Sequence, residues 1–304
     1  MPRSHPPTLL KLAERTLREE CGLARGDRIL VAVSGGPDSM ALLHVLSRLG
    51  PRLGLELFAH GVDHGLRPEA AAELDLAAAR AQALGIRFDR TRVHVETGGN
   101  LQARARRVRF EALERAAGAA GGALIATAHH ADDRAETVMI RLLGGSGPRG
   151  LAVLPPRSGS LIRPIIRARR ADILAHLARH RIDHALDPSN QDRRFLRVRV
   201  RLELMPMLEA LSPRIVAHLT ALADQIGDDG PPLVRDEAGE PLLMSRAHVE
   251  QLRRAQRLGL IGARVRLPGG RELRIDPRTR EPVLGGSRRS GGGRGGGGES
   301  HGGG

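Results

Sequence analysis

One segment constrains this chain more than any other: Ile29-Leu30-Val31-Ala32-Val33, then Ser34-Gly35-Gly36-Pro37-Asp38-Ser39, then Met40-Ala41-Leu42-Leu43-His44-Val45-Leu46. The first five residues form a short β-branched, apolar run, which predicts a buried strand. Ser34-Gly35-Gly36 breaks that strand, and the spacing of apolar residues from Met40 is helical. A glycine-rich turn between a strand end and a helix start offers backbone N–H groups to an anion, and the helix dipole adds positive potential there. The common phosphate loop G-x-x-x-x-G-K-[ST] is absent, and Lys11 is the one lysine in 304 residues. The turn therefore lacks the lysine that usually steadies β- and γ-phosphates.

Downstream, strand and helix patterns alternate. Strands are predicted at Arg28–Val33, Leu55–His60, Ile86–Val95 and Ala123–Ala128. Helices are predicted at Leu9–Glu20, Ser39–Leu49, Glu69–Leu84, Leu101–Ala117 and Asp132–Leu143. Such alternation gives an α/β fold, a doubly wound, mostly parallel sheet whose ligands sit beyond the carboxyl ends of the strands. Ser34–Ser39, His60–His64 and Thr127–Asp133 all fall at those ends. Gly144 to Gly150 and Pro155-Pro156 mark a loop leading out of the sheet. Ala168 to about Leu222 reads as helices, broken at Asp187-Pro188-Ser189-Asn190 and Ser212-Pro213. Beyond Asp228 the pattern turns to short hairpins, including Val265–Ile275. The last twenty residues hold twelve glycines and read as a disordered tail. The expected organisation is an α/β domain over 1–165, a helical extension over 166–227 that completes the cleft, a small C-terminal module over 228–284 and a tail over 285–304.

Charge points to the partner. Basic residues exceed acidic ones by fourteen, and all but Lys11 of the 48 are arginine. A GC-rich genome explains arginine in place of lysine but not the surplus, which suits a polyanion such as nucleic acid. A single cysteine, Cys21, rules out an internal disulfide and any four-cysteine metal or iron–sulfur site. With no apolar signal core and no run long enough to span a membrane, the expectation is a cytoplasmic, soluble protein.

Four clusters carry candidate chemistry. In the loop, Ser34, Gly35, Gly36, Pro37 and Ser39 would surround a pyrophosphate, and Asp38 would face Mg²⁺ or, on the plainer reading, cap the next helix. In the second, His60-Gly61-Val62-Asp63-His64, the spacing fits no zinc pattern, and His60 and Asp63 read as a nucleotide-contacting turn. Third, Arg106 and Arg109 are three apart and share a helix face, suited to charge moving onto a leaving pyrophosphate, while Arg104 and Arg107 read equally as a solvated face. Fourth, Asp133 and Glu136 are three apart at a helix start: either acids complementing the dipole, or a carboxylate pair gripping an ammonium. Spacing alone leaves those two readings even.

The Ser34–Ser39 loop resembles the PP-loop of ATP pyrophosphatases, which cut ATP between its α- and β-phosphates. With His60–Arg67, Ala105-Arg106-x-x-Arg109-Phe110, Ala128–Thr137, Gly144–Gly147 and Asp187–Asn190 in this order, the chain resembles the tRNA(Ile)-lysidine synthetases from about Leu9 to Leu222. That resemblance implies an ATP-dependent ligase. ATP adenylates the C2 oxygen of the wobble cytidine in an isoleucine tRNA with a CAU anticodon. The ε-amino group of free lysine then displaces AMP, giving lysidine. It also implies that Asp38 is the loop aspartate, that Arg106 and Arg109 are the arginine pair, that Asp133 and Glu136 handle lysine, and that Arg197 lies beside the cleft. Val198 stands where the family usually has Asn and Phe110 where Tyr is common, and the region beyond Asp228 does not resemble the C-terminal domains of long members. A homodimer is compatible with the chain. The competing readings are a PP-loop tRNA thiolase, disfavoured by the single cysteine, and a non-catalytic RNA-binding protein on the same scaffold.

Overall fold

The computed structural model describes residues 7–65, 69–94, 101–185 and 192–227, with short pieces between 248 and 285. The chain divides into two compact units, Met1–Gly230 and Pro231–Gly304. Asp187–Asn190, Val234–Pro241 and all of the glycine-rich tail after Gly285 lie outside the described residues.

The first unit is built on a six-stranded sheet. Its strands are β1 (Arg28–Val33), β2 (Glu56–Asp63), β3 (Arg87–Arg92), β4 (Leu124–Ala126), β5 (Arg157–Ser158) and β6 (Leu161–Ile162), in the order β3-β2-β1-β4-β6-β5. All neighbours are parallel except the β5–β6 pair. The order reverses between β1 and β4, which opens a crevice at their carboxyl ends. The chain after Gly150 does not leave the sheet as its loop residues suggest: β6 returns to pair with β4, Ile125 opposite Leu161. A two-residue strand has too little periodicity to show in a sequence.

β1 explains why a continuous apolar run was required. Ile29, Val31 and Val33 face one core, shared with α1 (Leu9–Arg15), α2 (Pro37–Leu53) and α6 (Arg170–His180). Leu30 and Ala32 face the other, with Leu113 and Ala117 of α4 (Leu101–Ala119) and Ile125 of β4. A central parallel strand is covered on both sides, so all five buried positions, Ile29 to Val33, are apolar. α3 (Glu69–Ala83) lies between β2 and β3 in the chain and adds Ala77 and Ala81 to the first core. α2 starts with Pro37 in its first turn, where a missing N–H costs nothing, and ends on Gly54 in the left-handed conformation at φ +68°.

The helical extension packs on α5 (Ala131–Leu143). Ala131, Ala135 and Val138 of that helix meet Val200 and Met205, together with Val216, Leu219 and Ala223 of α9 (Ile215–Gly227). Between them runs an unbroken helical stretch: α7 (Leu196–Arg199), a wide π turn (Val200–Leu204) and α8 (Met205–Leu211), ended by Ser212-Pro213. Polar contacts join the same parts. Arg134, 1% exposed, donates to Asp224 of α9 at 2.6 Å and to the Val153 carbonyl at 2.9 Å. Arg167 bridges Asp224 and Glu20.

The second unit contains β7 (Arg264–Arg266), β8 (Glu272–Ile275) and β9 (Pro282–Gly285), an antiparallel meander. Leu252, Ala255, Val265, Leu267, Leu273 and Ile275 form its small core. The hairpin expected at Val265–Ile275 is present as β7–β8.

Removing Asp224 takes away the carboxylate that pairs with the buried Arg134 guanidinium. Asp224→Ala should lower unfolding stability by about 3 kcal/mol, whereas Arg134→Met with Asp224→Leu should lose markedly less. Urea unfolding of both variants checks this, and equal losses would remove the network from the account.

Candidate active site

The crevice at the β1–β4 switch point is a cavity of about 680 Å³. Its floor is the loop between β1 and α2. Gly35 sits at φ +79°, and a Cβ there would come within 2.3 Å of the Glu73 carbonyl oxygen on α3, so only glycine fits. The Gly35 carbonyl accepts a hydrogen bond from the Ala185 N–H at 2.9 Å, which ties the loop to the segment after α6. Ser39 Oγ accepts from the Ser34 N–H at 3.2 Å and donates to the Gly36 carbonyl at 2.9 Å. The Asp38 and Ser39 N–H groups in the first turn of α2 have no intrahelical acceptor, and Ser34, Gly36, Pro37, Asp38 and Ser39 line the cavity.

Beyond the loop lies an acidic cluster around one imidazole. His130 is fully buried, with Nε2 3.3 Å from Asp133 and 3.8 Å from Asp38, and Nδ1 3.5 Å from Asp132. Burial acts to lower its pKa, but the three carboxylates outweigh burial and raise it. Asp38 is pushed up, chiefly by burial, against the pull of His130. Its Oδ1 is buried without a hydrogen-bond partner. Asp132 is held low despite burial by His130, by Arg169 and by the Arg170 N–H.

Asp133 does two things at once. Oδ2 accepts the His130 N–H at 3.1 Å and caps α5, while Oδ1 meets Arg197 at 3.0 Å. Capping and charge recognition are therefore not alternatives at this carboxylate. Glu136, one turn on, has a side chain only 4% exposed and is clasped from two sides. Arg197 Nε reaches Oε2 at 3.0 Å, and Arg201 reaches Oε1 through Nε at 2.7 Å and Oε2 through Nη2 at 3.0 Å. Asp133 and Arg197 line the cavity, and Glu136 lies behind them.

The cations divide into paired and unpaired. Arg109 lines the cavity and makes no hydrogen bond or ion pair among the described residues; burial, then Arg106, lowers its pKa. Arg170, at the start of α6, also lines the cavity; its guanidinium makes no ion pair among the described residues, though its charge acts on Asp38. Arg106 lies outside the lining and stacks over Phe110, 4.9 Å from the ring centre. His60 lines the cavity, its Nε2 2.9 Å from Thr91 Oγ1. Asp63 instead accepts the Gly65 N–H at 2.8 Å, closing its own turn. His129 also lines the cavity, with Nδ1 2.8 Å from Thr127 Oγ1, and burial drives its pKa to about 3, so it is neutral.

The sequence reading did not single out Arg170, Arg201 or His130. Arg201 had a signal, since Arg197 and Arg201 are four apart in a stretch that reads as helix. His130 and Arg170 had none, because their roles come from the N-termini of two helices meeting in space.

A family profile described as the PP-loop domain matches residues 9–208. The chain is 41% identical to the tRNA(Ile)-lysidine synthase of Symbiobacterium thermophilum over 73% of its own length and 48% of that protein. Identity is 38% to the synthase of Thermobifida fusca, over 74% of this chain and 71% of that one. It is 41% to the synthase of Novosphingobium aromaticivorans, over 61% and 58%. The chain thus spans about half to seven tenths of the length of these relatives. Among solved structures, the U34-tRNA thiolase NcsA of Methanococcus maripaludis shares the fold at a TM-score of 0.61 and 18% identity, over 77% of this chain and 86% of that one. The profile match across the sheet and cleft, with the identities above, shows that the chain belongs to the PP-loop family and, within it, to the tRNA(Ile)-lysidine synthases.

Proposed function

We propose that this chain converts the wobble cytidine of a CAU-anticodon isoleucine tRNA to lysidine, using ATP and free lysine. One observation carries the proposal: a single cavity is lined both by an anion-ready helix start with Arg109 and Arg170 and by the Asp133 carboxylate. The first group suits a triphosphate, the second an ammonium, and both ligands of the reaction need adjoining sites.

In the adenylation step the cytosine C2 oxygen attacks the α-phosphorus, the bond to the bridging oxygen breaks, and pyrophosphate leaves. Negative charge grows on that pyrophosphate, where the first-turn N–H groups of α2, the Ser34 hydroxyl and Arg109 can stabilise it, while Ser39 holds the loop through the Gly36 carbonyl. Arg106, at the rim on Phe110, is suited to the same polyphosphate or to the tRNA backbone. His60 is placed for the nucleoside, whereas Asp63 acts on it only by shaping the turn. The buried, partnerless Oδ1 of Asp38 is what a hard cation would seek, so Mg²⁺ fits there and, when bound, would neutralise phosphate charge.

In the second step the lysine ε-amino group forms the new C–N bond at C2 and AMP leaves. Of the Asp133–Glu136 pair, Asp133 is the one that lines the cavity and is suited to a lysine ammonium; Arg197 beside it is suited to a carboxylate. Glu136 acts through Arg197 and Arg201 as a positioning residue. Persulfide chemistry of the thiolase kind has no support: Cys21 is buried, off the cavity, and burial pushes its thiol up to about 12.

The deciding experiment supplies purified protein with ATP, Mg²⁺, labelled lysine and isoleucine tRNA bearing CAU, beside methionine tRNA with the same anticodon. Label should enter the isoleucine tRNA alone; its absence, with no AMP formed, would overturn the proposal.

Asp38 separates function from stability. Its folded pKa lies above the unfolded value, so its ionised form opposes folding at neutral pH, and that cost fades as pH falls through the folded pKa towards the ordinary carboxylate range. Asp38→Asn should therefore unfold at higher urea than the wild type at pH 7, the gap closing in acid, while pyrophosphate release drops by about a hundredfold. Urea curves at several pH values and a pyrophosphate assay test both halves.

Glu136→Gln removes the shared counter-charge of Arg197 and Arg201. The KM for lysine should rise at least about tenfold while the KM for ATP stays within about twofold. Steady-state kinetics in each substrate decide it, and equal effects on both would remove the positioning role.

A further inference from the structure

Behind the cavity, the middle of α2 packs on α6 through three histidines that the proposed reaction does not use. His44 Nδ1 stands 2.9 Å from His176 Nε2, and the three rings of His44, His176 and His180 have centroids 4.5–5.0 Å apart. One ring nitrogen from each lies within 4.8 Å of the others. His176 and His180 are four apart on α6, so they project from one face, one turn from each other. His44 and His176 are buried, and His180 opens to solvent.

We propose that His44, His176 and His180 form a binding site for a divalent transition cation of the zinc class, with a fourth position open to water on the His180 side. Three imidazoles and no carboxylate or thiolate suit Zn²⁺, Co²⁺, Ni²⁺ or Cu²⁺ and not Mg²⁺ or Ca²⁺. A tetrahedral zinc with bonds of about 2.05 Å needs its nitrogens about 3.3 Å apart. The His44–His176 pair stands slightly inside that separation and all three pairs lie within 4.8 Å, so side-chain rotations alone would seat the ion. Burial, with the neighbouring rings and arginines, holds His44 and His176 at about 4, so both are neutral at pH 7 with lone pairs to donate. Arg48, Arg80 and Arg179 stand near and oppose a cation. Arg48 and Arg179 are exposed, where solvent screens them, so their effect is a weaker site rather than none.

Such an ion would clamp α2, which carries the loop, to α6, which carries Arg170 into the cavity. The site is independent of the reaction proposed above, and its test does not use activity. Full-length, metal-free protein is titrated with Co²⁺ alone and with Zn²⁺ alone. Expected are one equivalent of Co²⁺ with the intense visible bands of a tetrahedral nitrogen site, displacement by Zn²⁺, and a thermal midpoint that rises with Zn²⁺ concentration. His180→Ala, at an exposed position, should keep the apo midpoint and weaken binding at least about tenfold. His44→Asn tests the buried ligand and should do the same. No bound metal, or binding that both variants leave unchanged, would overturn the site.

Discussion

The structure depends on the burial of Glu136 between Arg197 and Arg201. A carboxylate taken almost wholly out of water is costly unless each oxygen is hydrogen-bonded to a charged donor. Both Glu136 oxygens are, and the donors come from the helical extension while the acceptor belongs to α5 beside the sheet. Neither part could keep these charges buried alone. The consequence reaches the cavity: Arg197, held by Glu136, is placed against Asp133 Oδ1, which leaves Asp133 Oδ2 for the cap of α5.

Counting charge around the cleft shows what it lacks. The carboxylates Asp38, Asp132, Asp133 and Glu136 face His130, Arg169, Arg197 and Arg201, four against four. That set is neutral when His130 is protonated, the direction in which its neighbours push it. Arg109 and Arg170 stand outside that set and line the same cavity, as does Glu73. The unsatisfied N–H groups at the start of α2, with Arg109 and Arg170 in the same lining, suit the cavity to an anion before any ligand is considered.

Much of this was legible because local chemistry dictated it. The β1 run had to be apolar on both faces, the Gly35 turn had to be glycine, and the alternation of periods placed four strands and five helices within a few residues. What escaped depended on distance along the chain. Arg134 and Asp224 meet across 90 positions, and His44 and His176 across 132. In the sequence His44 is merely a polar residue in an apolar helix, and nothing local assigns it a partner. The Asp133–Glu136 pair shows a subtler failure. Spacing predicted that both carboxylates share one face, which is so, but not that one would open to the cavity while the other was sealed behind it. Burial at a helix face depends on what packs there, and here that is α7, sixty residues on.

The arginine surplus can now be divided. Codon bias would suffice for arginine wherever a point charge is enough, as at the exposed pairs of Arg15 with Glu19 or Arg199 with Glu203. It does not account for Arg201, whose Nε and Nη2 take the two oxygens of Glu136 in parallel, or for Arg167, which spans Glu20 and Asp224 with one planar group. An ammonium has neither the fork nor the reach for either arrangement, and it sheds its proton more readily when buried. At these interior sites geometry requires arginine. A lysine there would leave carboxylate oxygens unpaired in the part of the molecule least able to tolerate them.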